Sequence, residues 1–110
     1  MTKDREAALA YCRAVLLPIW ERWTDGNPAM QRALDCESAD PLTHEEYRNR
    51  LFAAQQGFAG RGETPDNLAA SIAAQAVQFA LLGYPPAMVE QVGARAEEAH
   101  EIALRQAPRL

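Results

Sequence analysis

The side chains able to do chemistry are few and scattered. His44 and His100 are the only histidines in 110 residues, and Cys12 and Cys36 the only cysteines. A bound metal needs several His, Cys, Asp or Glu at fixed spacings on one face. Only Glu97 and His100, three residues apart, approach such a spacing, and one pair does not make a centre. Acid–base catalysis needs carboxylates pointed into a shielded pocket. Asp35, Glu37, Asp40, Glu45 and Glu46 cluster in the sequence, but around a polar loop where capping and solvation account for them. Ser38 and Ser71 lie in no nucleophile signature. The glycines at 57, 60 and 62 lack the Lys-Ser/Thr ending and the preceding strand of a phosphate loop. The expectation is a protein with no catalytic residues, no metal and no cofactor, and therefore not an enzyme.

Charge then points to surface recognition. The formal net charge is −4 and the pI about 5.1, which favours solubility and disfavours nucleic acid as a partner. The link Leu82-Gly83-Tyr84-Pro85-Pro86 between two helical stretches could be mistaken for a helix-turn-helix. Its second helix would present Met88, Glu90, Gln91 and Glu97 to phosphates, with Arg95 alone to help. The acidic positions Glu21, Asp25, Asp35, Glu45 and Glu46 fit a basic protein surface better. Trp23 joins them, since a tryptophan at a helix end also serves as an interface anchor.

These residues must be held by something, and the stretch from Thr64 to Gly83 is the organising element. Thr64 is placed to cap a helix, Pro65 suits the first helical position, and Asp66 complements the helix dipole. Gly83 supplies the stop, with Pro85 and Pro86 beyond it. No charge lies between Asp66 and Gly83. Leu68, Ile72, Phe79 and Leu82 form one row, and Ala69, Ala73, Ala76 and Ala80 another. Ala70, Ala74, Val77 and Leu81 form a third; Ser71, Gln75 and Gln78 make a narrow polar stripe. A helix apolar nearly all round is a buried one. Its length and two glutamines argue against a membrane span. The expectation is an alanine-rich post over about 65–82, wrapped on all sides.

The remaining elements read as its companions. Ala8, Cys12, Val15, Ile19 and Trp23 recur at helical spacing over about 2–23, with Leu9, Leu16 and Trp20 widening the stripe. Pro18 falls inside that pattern and is expected to kink the helix. Asn27-Pro28 starts a second helix, to about Ser38, with Met30, Ala33 and Leu34 inward. Residues 39–42 read as a loop. Thr43 and Glu46 form a capping box for a third helix to about Gln56, with Tyr47, Leu51 and Ala54 inward and Phe52 beside them. A mobile glycine loop over 57–62 follows, anchored by Phe58. The last helix starts at about Pro86 with Met88, Val92, Arg95 or Ala96, Ala99, Ile102 and Ala103 inward, and Pro108 ends it. Two cysteines do not make a disulfide framework. Cys12 and Cys36 are expected as buried thiols in a reducing cytoplasm, the first residues being charged with no apolar secretion run after them. The fold class is all-α: residues 1–110 as one domain, a bundle of about five helices.

Ala8-Leu9-Ala10-Tyr11-Cys12, then Val15-Leu16-Leu17-Pro18-Ile19-Trp20-Glu21, with Asn27-Pro28 and Ala33-Leu34, resembles a family of small all-helical immunity proteins. That family accompanies bacterial polymorphic and contact-dependent toxins. Its pattern opens with a helix ending in Leu-Pro-aromatic-aromatic-Glu, followed by a polar-Pro helix start and alanine-rich helices. The resemblance implies a cytoplasmic antidote that binds a partner toxin domain and blocks it by direct contact, with no nucleic acid or membrane partner. Two other readings stand beside it. One is a helical adaptor or chaperone using an exposed apolar groove. The other is a small-molecule bundle holding its ligand with Gln75, Gln78, Tyr47 and His100.

Overall fold

Proline sets most of the helix starts. The computed structural model describes residues 2–36 and 39–106. Its elements, in order, are α1 (Thr2–Tyr11), a π-helical segment (Cys12–Leu16), α2 (Leu17–Trp23), α3 (Ala29–Asp35), α4 (Pro41–Ala59), α5 (Pro65–Leu81) and α6 (Pro86–Gln106). Pro18 lies in the first turn of α2, Pro28 directly precedes α3, and Pro41, Pro65 and Pro86 open α4, α5 and α6. Each therefore sits where a missing N–H breaks no helical bond. The described residues form an all-α bundle in which α5 packs against every other helix, most extensively against α6.

Residues 2–23 are helical without a break, and Pro18 is accommodated by a change of helix type before it. In an α-helix its ring would press on the Ala14 carbonyl. Instead the preceding turn widens, and the Leu17 N–H bonds to the Cys12 carbonyl five residues back. The widening also sets the register. Ala8, Cys12, Leu16 and Trp20 recur every four residues, a spacing that drifts by about 40° per step around a regular helix. The π turn offsets that drift, and all four are buried. The expected row therefore rotates, leaving Val15 and Trp23 only half-buried.

The start of α4 differs from the expected capping box. Asp40 is the cap: its carboxylate accepts from the Thr43 N–H at 3.0 Å and the Thr43 hydroxyl at 2.7 Å. Those bonds, the hydroxyl's above all, hold the Asp40 carboxyl below its ordinary pKa. Glu46 does not reach back; it pairs with Arg50 at 2.6 Å. The helix also continues through Gly57, so the expected glycine loop shrinks to residues 60–64. Phe58 does anchor it, buried with its ring edge-on to Trp20 at 5.5 Å.

α5 begins after Thr64, whose side chain makes no cap bond to the backbone. Its hydroxyl bonds to Asp66 and holds that carboxyl below its ordinary pKa. The C-terminus is a Schellman motif. Gly83, at φ +89°, donates to the Ala80 carbonyl and Tyr84 to the Phe79 carbonyl, while the Phe79 and Tyr84 rings stack at 4.8 Å. The two alanine-bearing rows of α5 are fully buried. The row of Leu68, Ile72, Phe79 and Leu82 is not: the first three are half-buried, as is Gln75 beside them, and Leu82 is exposed. The post is thus wrapped on two faces and open on its bulkiest one. Small side chains let neighbouring helices approach closely, and the long ones are left to the seam.

In α6 the inner row is Val89, Gly93, Ala96, Ala99 and Ala103. Met88 points outward, 43 % exposed, contrary to expectation, and Val92 and Ile102 are half-buried. Pro108 lies outside the described residues, as does Ser38, the expected end of the second helix; α3 stops at Asp35. Gly93 was not foreseen inside. A Cβ there would meet the Tyr11 ring, with Cε2 at 2.6 Å and Cζ at 2.8 Å. Its absence lets Tyr11 lie across α6 and donate to Glu97 at 2.9 Å. Gly93→Ala should therefore destabilise the fold by about 1–3 kcal/mol, although alanine is the better helix former by about 1 kcal/mol. In a Tyr11→Ala background the sign should reverse. Urea unfolding of the four proteins checks this as a double-mutant cycle.

Candidate functional site

The six residues expected at a partner-binding edge fall on three parts of the molecule. Glu21, Trp23 and Asp25 lie at the end of α2. Trp23 is half-buried and its indole N–H donates to His100 Nδ1 at 2.8 Å, with the two rings edge-on at 5.8 Å and the Arg22 guanidinium 5.1 Å from the indole. It ties α2 to α6 rather than standing free. Asp25 is exposed, in a left-handed turn at φ 57°. Asp35, at the end of α3, is paired with Arg13 at 3.2 Å, and Arg13 also donates to the Leu34 carbonyl at 3.0 Å. That arginine closes the negative end of α3, so Asp35 acts first as a structural partner.

Glu45 and Glu46 are brought together. With Leu42, Asn49, Arg50 and Ala53 they line an open depression of about 480 Å³ on the outer face of α4. Leu42 is 79 % exposed, the most exposed large apolar side chain described. Sequence reasoning missed it by reading residues 39–42 as a loop. The Asp-Pro pair at 40–41 was the available signal, matching the Asn-Pro and Thr-Pro pairs at 27–28 and 64–65. The depression joins an apolar knob to two carboxylates, one engaged by Arg50. Such a surface can dock a cation-bearing protein segment and cannot shield a reaction from water.

A second concavity lies between α4 and α5. Phe52, Gln55, Gln56, Gln75, Gln78, Phe79 and Leu82 enclose about 370 Å³. Phe52 and Leu82 are each 52 % exposed. The Gln78 amide donates to the Arg48 carbonyl at 3.1 Å, which fixes α4 against this side of α5. Gln55 Oε1 is shielded from solvent and has no partner among the described residues. Of the four residues considered for a small-molecule site, only Gln75 and Gln78 line this groove. Tyr47 lies under the Arg50 guanidinium at 4.8 Å and His100 is held by Trp23.

Among the described residues no three His, Cys, Asp or Glu are grouped to hold a metal ion, and no helix is long and apolar enough to cross a membrane. Both cysteines are free; Cys12 is buried and Cys36 half-buried. Comparison with protein-family models, curated proteins and solved structures gives no match to this chain. The immunity-protein resemblance therefore rests on its own residues, between 8 and 34.

Burial pushes the Cys12 thiol up from its ordinary 9.0 to about 12, with Arg13 opposing weakly. A thiol held protonated is a poor nucleophile. Burial, and then Glu97, raises Tyr11 above its ordinary 10.0. The unfolded chain releases the Cys12 proton from pH 9 upward while the folded chain keeps it to about 12. Stability present below pH 9 should thus be lost at about 1.4 kcal/mol per pH unit above it. Urea midpoints between pH 9 and 10 should fall for the wild type and fall less for Cys12→Ala, in which the smaller contribution of Tyr11, whose unfolded-state range begins there, remains. Parallel curves would remove Cys12 as the cause.

Proposed function

We propose that this chain is a non-catalytic binding protein: an immunity protein that neutralises a bacterial toxin domain by direct contact in the cytoplasm. The observation that carries the reading is the outer face of α4. There an apolar side chain, Leu42, stands 79 % exposed beside Glu45 and Glu46. An isolated exposed leucine needs no explanation, but one set in an acidic depression combines the two parts of a recognition patch. The apolar knob gives contact area, and the carboxylates select and steer a basic surface. A net charge of −4 extends that steering beyond the patch. Glu21 and Asp25 widen the acidic surface at the end of α2. Trp23 and Asp35 contribute mainly by holding the helices that present it. The resemblance between residues 8 and 34 adds the class of partner.

Co-expression with the product of the neighbouring gene is the direct test. A stable complex that inhibits a toxin activity is the expected result. Glu45→Lys with Glu46→Lys should slow association about tenfold or more and weaken its salt dependence. Leu42→Ala should raise the off-rate by about 1–2 kcal/mol equivalent with little effect on stability. Failure of any adjacent toxin-like protein to bind would overturn the antidote reading. Affinity that persists unchanged in high salt would favour an apolar adaptor surface instead.

A further inference from the structure

We propose that the groove between α4 and α5 is the interface of a symmetric homodimer, occupied by a second copy of this chain. The argument starts from charge. Two chains of net charge −4 repel over most of their surface. The groove is the place where that objection fails, because none of its seven lining residues is charged. Its polar groups are four glutamine amides, each both donor and acceptor. An amide can pair with its own symmetry copy, whereas a carboxylate opposite its own copy repels it. The Gln56 and Gln75 amides form no hydrogen bond to any described residue, and Gln55 Oε1 has none either, so the groove carries hydrogen-bonding capacity the monomer does not use.

Shape points the same way. The groove has a hollow of about 370 Å³ and, on its rim, Phe52 and Leu82, each 52 % exposed. A projecting ring beside a hollow gives one face both halves of a self-complementary contact, the kind an isologous interface requires. The apolar surface continues past Leu82 through Phe79 to Tyr84, stacked on it and 41 % exposed. The α5 row Leu68, Ile72, Gln75, Phe79 and Leu82 has spacings of four, three, four and three. That is the spacing of a coiled-coil seam, here with one central polar position, an arrangement that fixes register between helices. The half-buried bulky row of α5 is thereby accounted for: it is the part of the core that a second protomer completes. The inference is independent of the acidic patch, because Leu42, Glu45 and Glu46 line a different concavity on α4.

Sedimentation equilibrium of the purified chain, from low micromolar to near-millimolar, tests it. The expected result is a concentration-dependent rise from 12.1 kDa to twice that mass, little affected by salt. Phe52→Glu and, separately, Gln75→Glu should each hold the chain at monomer mass with an unchanged far-UV spectrum. Leu42→Glu, on the other face of α4, should dimerise like the wild type. A wild type that stays at 12.1 kDa throughout overturns the dimer and leaves the groove to a different protein. So does a dimer that survives both groove substitutions, or one abolished by Leu42→Glu instead.

Discussion

Close approach of helices across small side chains is the constraint from which this structure follows. α5 carries six buried alanines, Ala69, Ala70, Ala73, Ala74, Ala76 and Ala80, and the facing helix α6 buries Gly93, Ala96, Ala99 and Ala103. Neither set contributes much apolar area of its own. What they provide is a short distance between helix axes, at which backbone and Cβ atoms meet and larger residues from elsewhere close the gaps. Trp20, Leu16, Met30, Leu34 and Leu51 supply that bulk from the surrounding helices. Gly93 is the extreme case, where even a methyl group would collide with Tyr11.

The same constraint decides what was legible in the sequence. Helix identity was, because the proline–cap pairs and the lack of charge from 67 to 83 are local signals. The Gly83 stop and the Phe58 anchor were legible for the same reason. Burial direction on α5 was not. A chargeless helix with alanines on two sides and leucine, isoleucine and phenylalanine on a third gives no internal sign of which side faces solvent. Hydrophobicity would bury the large residues first, whereas packing distance favoured the small ones. Met88 and Val89 repeat the lesson on α6: the bulkier, more flexible methionine went outward and the compact valine inward. The π turn before Pro18 could have been found, since a four-residue spacing of Ala8, Cys12, Leu16 and Trp20 does not stay on one side of a regular helix.

Polar groups show why the candidate site was only partly legible. Counting acidic residues along the chain treats each as available, yet several are occupied by the fold. Asp40 caps α4, Asp66 holds Thr64, Asp35 holds Arg13, and Glu97 receives Tyr11. Trp23, an interface residue by type, spends its indole N–H on His100. These pairings depend on residues 22 to 86 positions away as well as on near neighbours, and no local pattern encodes them. What the pairings leave over is Leu42 with Glu45 on one face of α4, and Phe52 with the glutamines on another.

That division gives α4 an unusual position. Its inner row, Tyr47, Leu51, Ala54 and Phe58, fastens it to the core, and the two flanks beside that row differ in kind. One is acidic and open, suited to an oppositely charged surface whose approach is steered over distance. The other is neutral and recessed, suited to a surface that matches it in shape and forms amide hydrogen bonds at short range. Charge acts through about a Debye length, roughly 8–10 Å at physiological salt, whereas apolar and amide contacts act only on touching. The two flanks of one helix therefore differ in reach, one acting through its field and the other only on contact. Gln78 ties the two helices together beside the groove: its amide donates to the Arg48 carbonyl at 3.1 Å. The position of the acidic flank relative to the rest of the protein is set through that bond and the row beneath it.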